Sequence, residues 1–264
     1  MYADIETQTS YKYLQKVVSM LQEPICILGG WAVYLTVNDN YKENIGRPYL
    51  GSRDIDLGFH LDKDASEKNM KQSSFQLALK TLEEDGFELT SFRLVKHLDR
   101  ETGKVLSKEE YAKKDQFDLI EMYVDLILDN IPKKFKETFK MNPIDETLLA
   151  RVFEKPENHT QLKEFKKKLI LPKPSLLLAT KLKSMPKRDK ENKRQKDIYD
   201  IAALLLYSPT RIDGSELKQF LPTKKALKAI NQISDTEIEK TESNLGLQKN
   251  QFKAAILALK KELE

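Results

Sequence analysis

The sequence predicts an α+β protein in which a mixed sheet flanked by helices is followed by a helical C-terminal part. Two observations support this class. Short apolar runs typical of strands alternate with amphipathic helical stretches up to about residue 130, which is the pattern of a sheet covered by helices. After Pro172 and Pro174 the apolar spacing is helical throughout. We therefore predict one domain at residues 1–170 and a helical domain at residues 171–264.

The first predicted elements surround a pair of glycines. Residues 10–22 have apolar side chains at the spacing of one helix face, and Pro24 ends that helix. A buried strand at 25–28 leads through Gly29 and Gly30 into a second helix at 31–37. Residues 38–52 are polar and are interrupted by glycine and proline, so they predict a loop.

The elements that follow bring two acids onto one strand. Residues 54–60 alternate in polarity, so Asp54 and Asp56 lie on the same face of the predicted strand. A long amphipathic helix is predicted next, then two strands, and then the C-terminal helices. The predicted ranges are 66–84 for the long helix, 87–98 and 117–128 for the strands, and 176–182, 194–207, 215–230 and 250–261 for the C-terminal helices.

The composition is that of a globular protein and excludes several classes. The chain has 264 residues, and its 45 Lys and Arg against 41 Asp and Glu give a net charge of +4. The start of the sequence lacks the features of a signal peptide, and the longest apolar run, residues 201–207, is too short to cross a membrane. Cys26, the single cysteine, predicts a buried structural thiol, and three scattered histidines argue against zinc. We expect a cytoplasmic protein without membrane contact.

The charge is distributed unevenly along the chain. Between residues 163 and 196 there are 13 basic and three acidic residues, a net charge of +10, which leaves −6 for the rest. Such a segment indicates an anionic partner, and the alternative is a solvated helix face.

The residues most informative about chemistry are the two glycines and the two acids. Gly29 and Gly30 let a ligand approach the backbone at a helix start, where free N–H groups bind phosphate oxygens. Asp54 and Asp56 are oxygen donors of the kind that Mg²⁺ accepts alongside water and phosphate. Together they predict a nucleotide site.

The combination of Gly29-Gly30-Trp31-Ala32 with Ser52-Arg53-Asp54-Ile55-Asp56 resembles the nucleotidyltransferase superfamily related to DNA polymerase beta. These two sequence motifs are most similar to those of the antibiotic nucleotidyltransferases. Lys181, Arg188 and the run Lys196-Asp197-Ile198-Tyr199-Asp200 resemble a pattern of the abortive-infection nucleotidyltransferase toxins. One departure is that 23 residues separate Gly30 from Asp54, about twice the usual number, and we expect the loop at 38–52 to supply the difference.

The resemblance implies a third carboxylate on a neighbouring strand. Asp125 is the first choice, because an isolated Asp among apolar strand residues is costly to bury unless it meets a cation. Asp118 and Glu121 are the alternatives.

By the same resemblance, Asp54, Asp56 and Asp125 are the catalytic residues and hold two Mg²⁺ ions, with a nucleoside triphosphate as substrate. The residues expected to bind the nucleotide and its phosphates are Gly29, Gly30, Ser52, Arg53, Lys181 and Arg188. Lys196, Asp197 and Asp200 are further candidates, and the alternative for Asp197 is a structural ion pair with Lys193 or Arg194.

The predicted function is Mg²⁺-dependent transfer of a nucleoside monophosphate from a nucleoside triphosphate to a hydroxyl group. The acceptor stays open between tRNA or another RNA, a protein and a small molecule. A second hypothesis is a non-catalytic nucleotide- or RNA-binding module on the same fold. A third is the toxin of a toxin–antitoxin pair, which would have an antitoxin protein as partner.

Overall fold

The computed structural model describes residues 4–264, and the chain divides into two compact units. One unit comprises the described residues up to Trp31 together with Gly51–Leu171, and it carries the sheet. The other comprises Ala32–Leu50 and Pro172–Glu264, and it is helical. The predicted division at residue 170 did not anticipate that residues 32–50 group with the C-terminal helices, and as a statement about separate domains it stays a prediction.

The sheet unit is built on a mixed sheet that has eight strands within residues 4–264. The strand order is β3-β4-β5-β2-β1-β8-β7, and β6 pairs with β5 outside this path. The strands are β1 Ile25–Ile27, β2 Ile55–Phe59, β3 Glu88–Leu89, β4 Leu94–Asp99, β5 Leu119–Leu128, β6 Ile144–Asp145, β7 His159–Glu164 and β8 Lys167–Pro172. This sheet with its flanking helices confirms the predicted α+β class.

Helices cover the sheet and bury its apolar side chains. Their bounds are α1 Asp4–Met20, α2 Gly29–Ile45, α3 Glu67–Lys71, α4 Ser74–Glu84, α5 Lys108–Tyr111, α6 Phe135–Phe139 and α7 Leu149–Glu154, and α2 continues into the helical unit. The core includes Leu14, Ile27, Leu57 and Phe75, all of which are fully buried. Cys26 is also buried, and burial raises the pKa of its thiol, as expected of a structural cysteine.

The helical unit contains the C-terminal helices and most of α2. The helices are α8 Pro174–Ser184, α9 Glu191–Tyr207, α10 Gly214–Lys218, α11 Thr223–Ile230, α12 Asp235–Leu245 and α13 Gln251–Leu263. Glu242 is buried and accepts hydrogen bonds from the backbone N–H groups of Asn250, Phe252 and Lys253. These bonds satisfy donors at the start of α13.

The loop predicted at 38–52 is wrong over its first half, because α2 continues to Ile45. Val37 and Tyr41 are buried one helical turn apart, and the Tyr41 hydroxyl donates to the carbonyl of Leu245 at 2.6 Å. Tertiary packing therefore outweighs the low helix propensity of the intervening Asn and Asp residues. The extra spacing between Gly30 and Asp54 comes largely from a longer helix.

Other boundaries differ from the prediction because local chemistry interrupts a periodic pattern. The helix predicted at 66–84 is broken where Ser73 caps α4 by accepting from the backbone N–H of Gln76. The strand predicted at 87–98 is a hairpin of β3 and β4, and the helix predicted at 215–230 is divided before Pro222. Strands β7 and β8 and helix α12 were not predicted. None of the helices in the described part of the chain combines the length and the apolar character needed to span a membrane.

Candidate active site

Gly29 and Asp56 are in direct contact at the start of α2. Gly29 has a φ of +58°, and a β-carbon built on it would lie 1.7 Å from Oδ2 of Asp56. The backbone N–H of Leu28 donates to the carbonyl of Asp56 at 2.9 Å, which holds β1 against β2 at this point. The glycine thus makes room for a carboxylate at the helix N-terminus, where the helix dipole favours negative charge.

A buried hydroxyl joins the two predicted motifs. Ser10 in α1 is fully buried; its Oγ accepts from the Trp31 indole N–H at 3.1 Å and donates to the carbonyl of Arg53 at 2.7 Å. Trp31 is itself buried and packs against Tyr11, as expected of a packing residue. Ser10 therefore fixes the segment before β2 relative to the start of α2. Ser10 could not be recognised from sequence, because a single Ser in a helix has no distinctive pattern.

Asp125 lies beside Asp56 on the adjacent strand. β2 and β5 are parallel, and Asp56 is in register with Asp125. Neighbours in register on adjacent strands share a face, so Asp56 and Asp125 project from the same face of the sheet, and Asp54 lies directly before β2. Asp125 is 7% exposed.

Arg93 is the cation that these acids share in the structure. Its Nε donates to Oδ1 of Asp125 at 2.9 Å and its Nη2 to Oδ2 at 2.5 Å, while Nη2 lies 3.8 Å from Oδ2 of Asp54. Burial opposes the charge on Arg93, but its hydrogen bonds with Asp125 and the charges of Asp125, Asp54 and Asp56 raise its pKa above the ordinary value. All three predicted carboxylates thus act on one guanidinium group.

The ring of Tyr123 lies beside two arginine side chains of the site. The guanidinium carbon of Arg93 lies 4.3 Å from the ring centre of Tyr123, and that of Arg53 lies 5.3 Å from the same centre. Arg53 also contacts Asp54, with Nε 3.3 Å from Oδ1. Burial and a hydrogen bond to Glu121 raise the pKa of Tyr123 to about 12, so its hydroxyl is protonated at neutral pH.

The alternatives for the third acid lie elsewhere. Glu121 accepts the Tyr123 hydroxyl and lies 3.6 Å from Nε2 of His97. Asp118 is exposed in the short 3₁₀ turn before β5. Neither residue is in register with Asp56, so Asp125 remains the candidate. Ser52 and Gly30 are both buried, and they lie near Asp54 and Gly29 in the sequence. That these two residues contact phosphate stays a prediction.

The donor chemistry of Asp54 and Asp56 fits Mg²⁺, which needs only one or two carboxylates beside water and phosphate. In residues 4–264 no three His, Cys, Asp or Glu side chains form a ready-made metal cage. Both oxygens of Asp125 are bonded to Arg93. The donor types of Asp54 and Asp56 therefore suit the ion, whereas Asp125 could join them only after it separates from Arg93.

The predicted basic and acidic residues of the helical unit form a buried ion cluster. Lys181 in α8 has Nζ 2.9 Å from Oδ1 of Asp197 and 2.7 Å from Oδ2 of Asp200, so both acids lie on one face of α9. Lys196 contacts the other oxygen of Asp200 at 2.5 Å, and the Tyr49 hydroxyl donates to it at 2.7 Å. We call these five residues the α8–α9 cluster.

Arg188 and Ser184 extend the α8–α9 cluster at Asp197. Arg188 donates from Nε to Oδ2 of Asp197 at 2.7 Å, and the Ser184 hydroxyl lies 3.1 Å from the same oxygen. The alternative pairing of Asp197 with Arg194 is not formed, since Arg194 bonds to Glu237. The side chain of Arg188 is 39% exposed, and that of Lys181 is 9% exposed.

The pKa shifts in the α8–α9 cluster follow from burial and pairing. Burial opposes the charge of Lys181, but Asp197 and Asp200 outweigh it and raise the pKa of Lys181. Burial also opposes the charge of Asp197, and there Lys181 and Arg188 prevail and lower the pKa. For Lys196 burial prevails over Asp200, so its pKa is lowered. Asp197 and Lys181 therefore favour the charged form of one another.

Comparison with known proteins gives a structural likeness but no family. No family model matches the chain, and no curated protein matches it significantly. The chain is similar to the crystal structure of an antigenic nucleotidyltransferase-like protein from Paracoccidioides brasiliensis, with 20% identity over 97% of this chain and 93% of that one. The TM-score is 0.44. At these values the likeness assigns no activity to the present chain.

Arg93 is the main residue of the site that sequence reasoning missed. It precedes β4, and the antiparallel pairing of Leu94 with Val124 brings it opposite Asp125. The signal was present only as a basic residue at the start of one strand and an acidic residue in another. Without the register of β4 and β5, these two residues cannot be matched from sequence.

Proposed function

We propose that the chain is a Mg²⁺-dependent nucleotidyltransferase that moves a nucleoside monophosphate from a nucleoside triphosphate to a hydroxyl group. The observation that carries the proposal is the pairing of Asp56 with Asp125 on two parallel strands, with Asp54 directly before β2 and Asp56 against Gly29 at the start of α2. A carboxylate group of this kind beside a helix N-terminus suits a cation and a polyphosphate together.

In this proposal each residue has a defined task. Asp54 and Asp56 bind Mg²⁺, and Asp125 joins them or accepts the proton of the attacking hydroxyl. When bound, Mg²⁺ offsets the charge of the triphosphate and of the departing pyrophosphate, and two ions are proposed. Backbone N–H groups at Gly29 and Gly30, with Ser52 and Arg53, bind phosphate oxygens.

Lys181 and Arg188 of the helical unit are the further phosphate-binding residues of the proposal. Arg188 is the better suited of the two to reach a ligand, because more of its side chain is exposed. The guanidinium of Arg188 also supplies the fork geometry that matches a phosphate group. Lys196, Asp197 and Asp200 then position these basic groups through the α8–α9 cluster.

The proposal is tested by label transfer from nucleoside triphosphates carrying a labelled α-phosphate, with Mg²⁺ and pools of RNA, protein or small molecules. We expect Asp54→Asn or Asp56→Asn to lower the transfer rate by roughly a hundredfold or more, the scale of losing one charge-stabilising group. Asp62→Asn, which changes an acid with 83% of its side chain exposed, is the matched control. Transfer that survives both active-site substitutions would refute the assignment.

A second candidate, a non-catalytic nucleotide- or RNA-binding module, is favoured by the pairing of Arg93 with both oxygens of Asp125. It predicts binding of nucleotide or RNA that is unchanged by EDTA and no transfer of label. The choice among RNA, protein and small-molecule acceptors remains a proposal from sequence resemblance, as does a toxin role. Growth arrest on expression, relieved by a neighbouring gene product, would support the toxin role.

A further inference from the structure

Arg93 and Asp125 form a bidentate salt bridge, and both side chains are largely buried. Each carboxylate oxygen accepts one N–H, at 2.9 and 2.5 Å. The side chains of Arg93 and Asp125 are 17% and 11% exposed. A paired guanidinium and carboxylate of this geometry form one of the stronger polar contacts in proteins. Asp125 therefore has a resident cation before any metal ion arrives.

The backbone around Arg93 is folded to hold it there. The hydroxyl of Thr90 donates to the carbonyl of Arg93 at 2.8 Å, and the backbone N–H of Thr90 donates to the same oxygen at 2.8 Å. The N–H of Arg93 in turn donates to Oγ1 of Thr90 at 3.3 Å. With the ring of Tyr123 beneath the guanidinium, the side chain is supported from its backbone to its tip.

We propose that Arg93 is an internal counter-cation that competes with divalent metal for Asp125. This inference rests on the metal site of the proposed function. While Arg93 is in place, Asp125 is withheld from the ion, and the positive charge near Asp54 also opposes binding by Asp54 and Asp56. The affinity of the site for a divalent cation is therefore set by Arg93 as well as by the three acids.

The test measures Mn²⁺ binding to the full chain without nucleotide, using the loss of the free-ion signal in electron paramagnetic resonance. We expect Arg93→Gln to bind Mn²⁺ roughly tenfold more tightly than the unchanged chain, within the usual range for coupled sites. The gain should disappear in the double variant Arg93→Gln with Asp125→Asn, because the released carboxylate is its source. Arg151→Gln, which removes an exposed arginine of α7, is the control.

Three outcomes would overturn the inference. They are an Arg93→Gln affinity no tighter than that of the unchanged chain, a gain that persists in the double variant, and absence of Mn²⁺ binding in every variant. If Arg93→Gln fails to fold, Arg93→Lys is measured instead, since lysine keeps the positive charge but cannot make the two-point contact with Asp125. An unchanged Mn²⁺ affinity in Arg93→Lys also overturns the inference. Label transfer is not required for this readout, so failure of the proposed transferase activity is distinguishable.

Discussion

At Gly29 the position that a β-carbon would take is already occupied by the carboxylate of Asp56. The residue combines two constraints, a left-handed φ of +58° and this close approach. Either constraint alone favours glycine, but only the second connects the glycine turn to the chemistry of the acids. At the scale of single residues, the helix start and the strand therefore form one site.

We expect Gly29→Ala to lower the free energy of unfolding by about 2–4 kcal/mol, since it adds an overpacking cost of about 1–3 kcal/mol to a left-handed backbone cost of about 1 kcal/mol. It should also abolish the proposed transfer by displacing Asp56. Urea denaturation measures the first effect. Gly103→Ala is the matched control, because Gly103 has a φ of +68° with no atom within 4 Å of the added carbon. Equal losses in the two variants would contradict the role of the Asp56 contact.

Sequence reasoning at the residue scale succeeded where a single strand or turn contains the whole pattern. Asp56 lies on β2, as the alternation predicts, whereas Asp54 lies directly before the strand. Arg93 and Ser10 act through partners 32 and 43 residues away, and such partners depend on strand register and helix docking. Periodicity within one element contains no information about either.

At the scale of elements, helices α8 and α9 are joined by a buried group of charged side chains. Asp197 accepts from Lys181, Ser184 and Arg188, and its side chain is 3% exposed. Removing one member of such a cluster leaves the others buried without full compensation. The α8–α9 cluster therefore favours one relative arrangement of these two helices.

Asp197→Asn should destabilise the protein by about 3–5 kcal/mol at pH 7, because Lys181 and Arg188 lose a buried counter-charge. The pKa of Asp197 is lowered by folding, so its contribution is present above the unfolded-state pKa of about 3.9 and is lost as pH falls through the lower folded value. The difference from the unchanged chain should shrink below about pH 4. Urea unfolding at several pH values measures it.

Asp189→Asn is the control for this experiment, because Asp189 is an exposed acid in the same region. We expect it to have little effect on the free energy of unfolding at any of these pH values. A loss at pH 7 as small as that of the control would show that the α8–α9 cluster adds no stability.

Element boundaries were predictable only where the local signal agreed with the tertiary packing. The strand at β2 was anticipated to within one residue at each end, since the buried Ile55 and Leu57 alternate with Asp56. In α2 the polar stretch after Val37 suggested a loop, but Tyr41 is buried against Tyr49 and Tyr207 and the helix continues. Two of the residues that contact Tyr41, Tyr207 and Leu245, lie more than a hundred positions away in the sequence.

At the scale of the whole molecule, the basic segment at 163–196 is less available than its net charge of +10 suggests. At least five of its basic residues are paired with acids, namely Lys173, Lys181, Arg188, Arg194 and Lys196. Lys187 and Lys190 are exposed. An anionic partner would therefore meet only part of the segment.

If RNA is that partner, Lys187→Gln combined with Lys190→Gln should make the slope of log affinity against log salt shallower by about 1.4, since each phosphate that is no longer neutralised accounts for about 0.7. Lys173→Gln should leave the slope unchanged, because Lys173 is bonded to Glu216 at 2.8 Å. Filter binding at several KCl concentrations measures both slopes. A change for Lys173→Gln as large as that for the exposed lysines would contradict this interpretation of the charge.

The α+β class was predictable because it follows from the order of elements along the chain. The grouping of residues 32–50 with the C-terminal helices was not, since a single helix, α2, contributes to both units. Composition and proline positions indicated a change of structure near residue 172. They did not indicate that residues 32–50 belong with the helices after it.

The pairing of β1 with β8 has a consequence for the order in which a ribosome makes the chain. β1 lies inside the finished sheet, between β2 and β8, and its parallel partner comprises residues 167–172. Until those residues leave the exit tunnel, one side of β1 presents unpaired backbone groups, and such an edge readily pairs with other chains. Nascent chains stalled before residue 167 should therefore be the ones that depend most on chaperones.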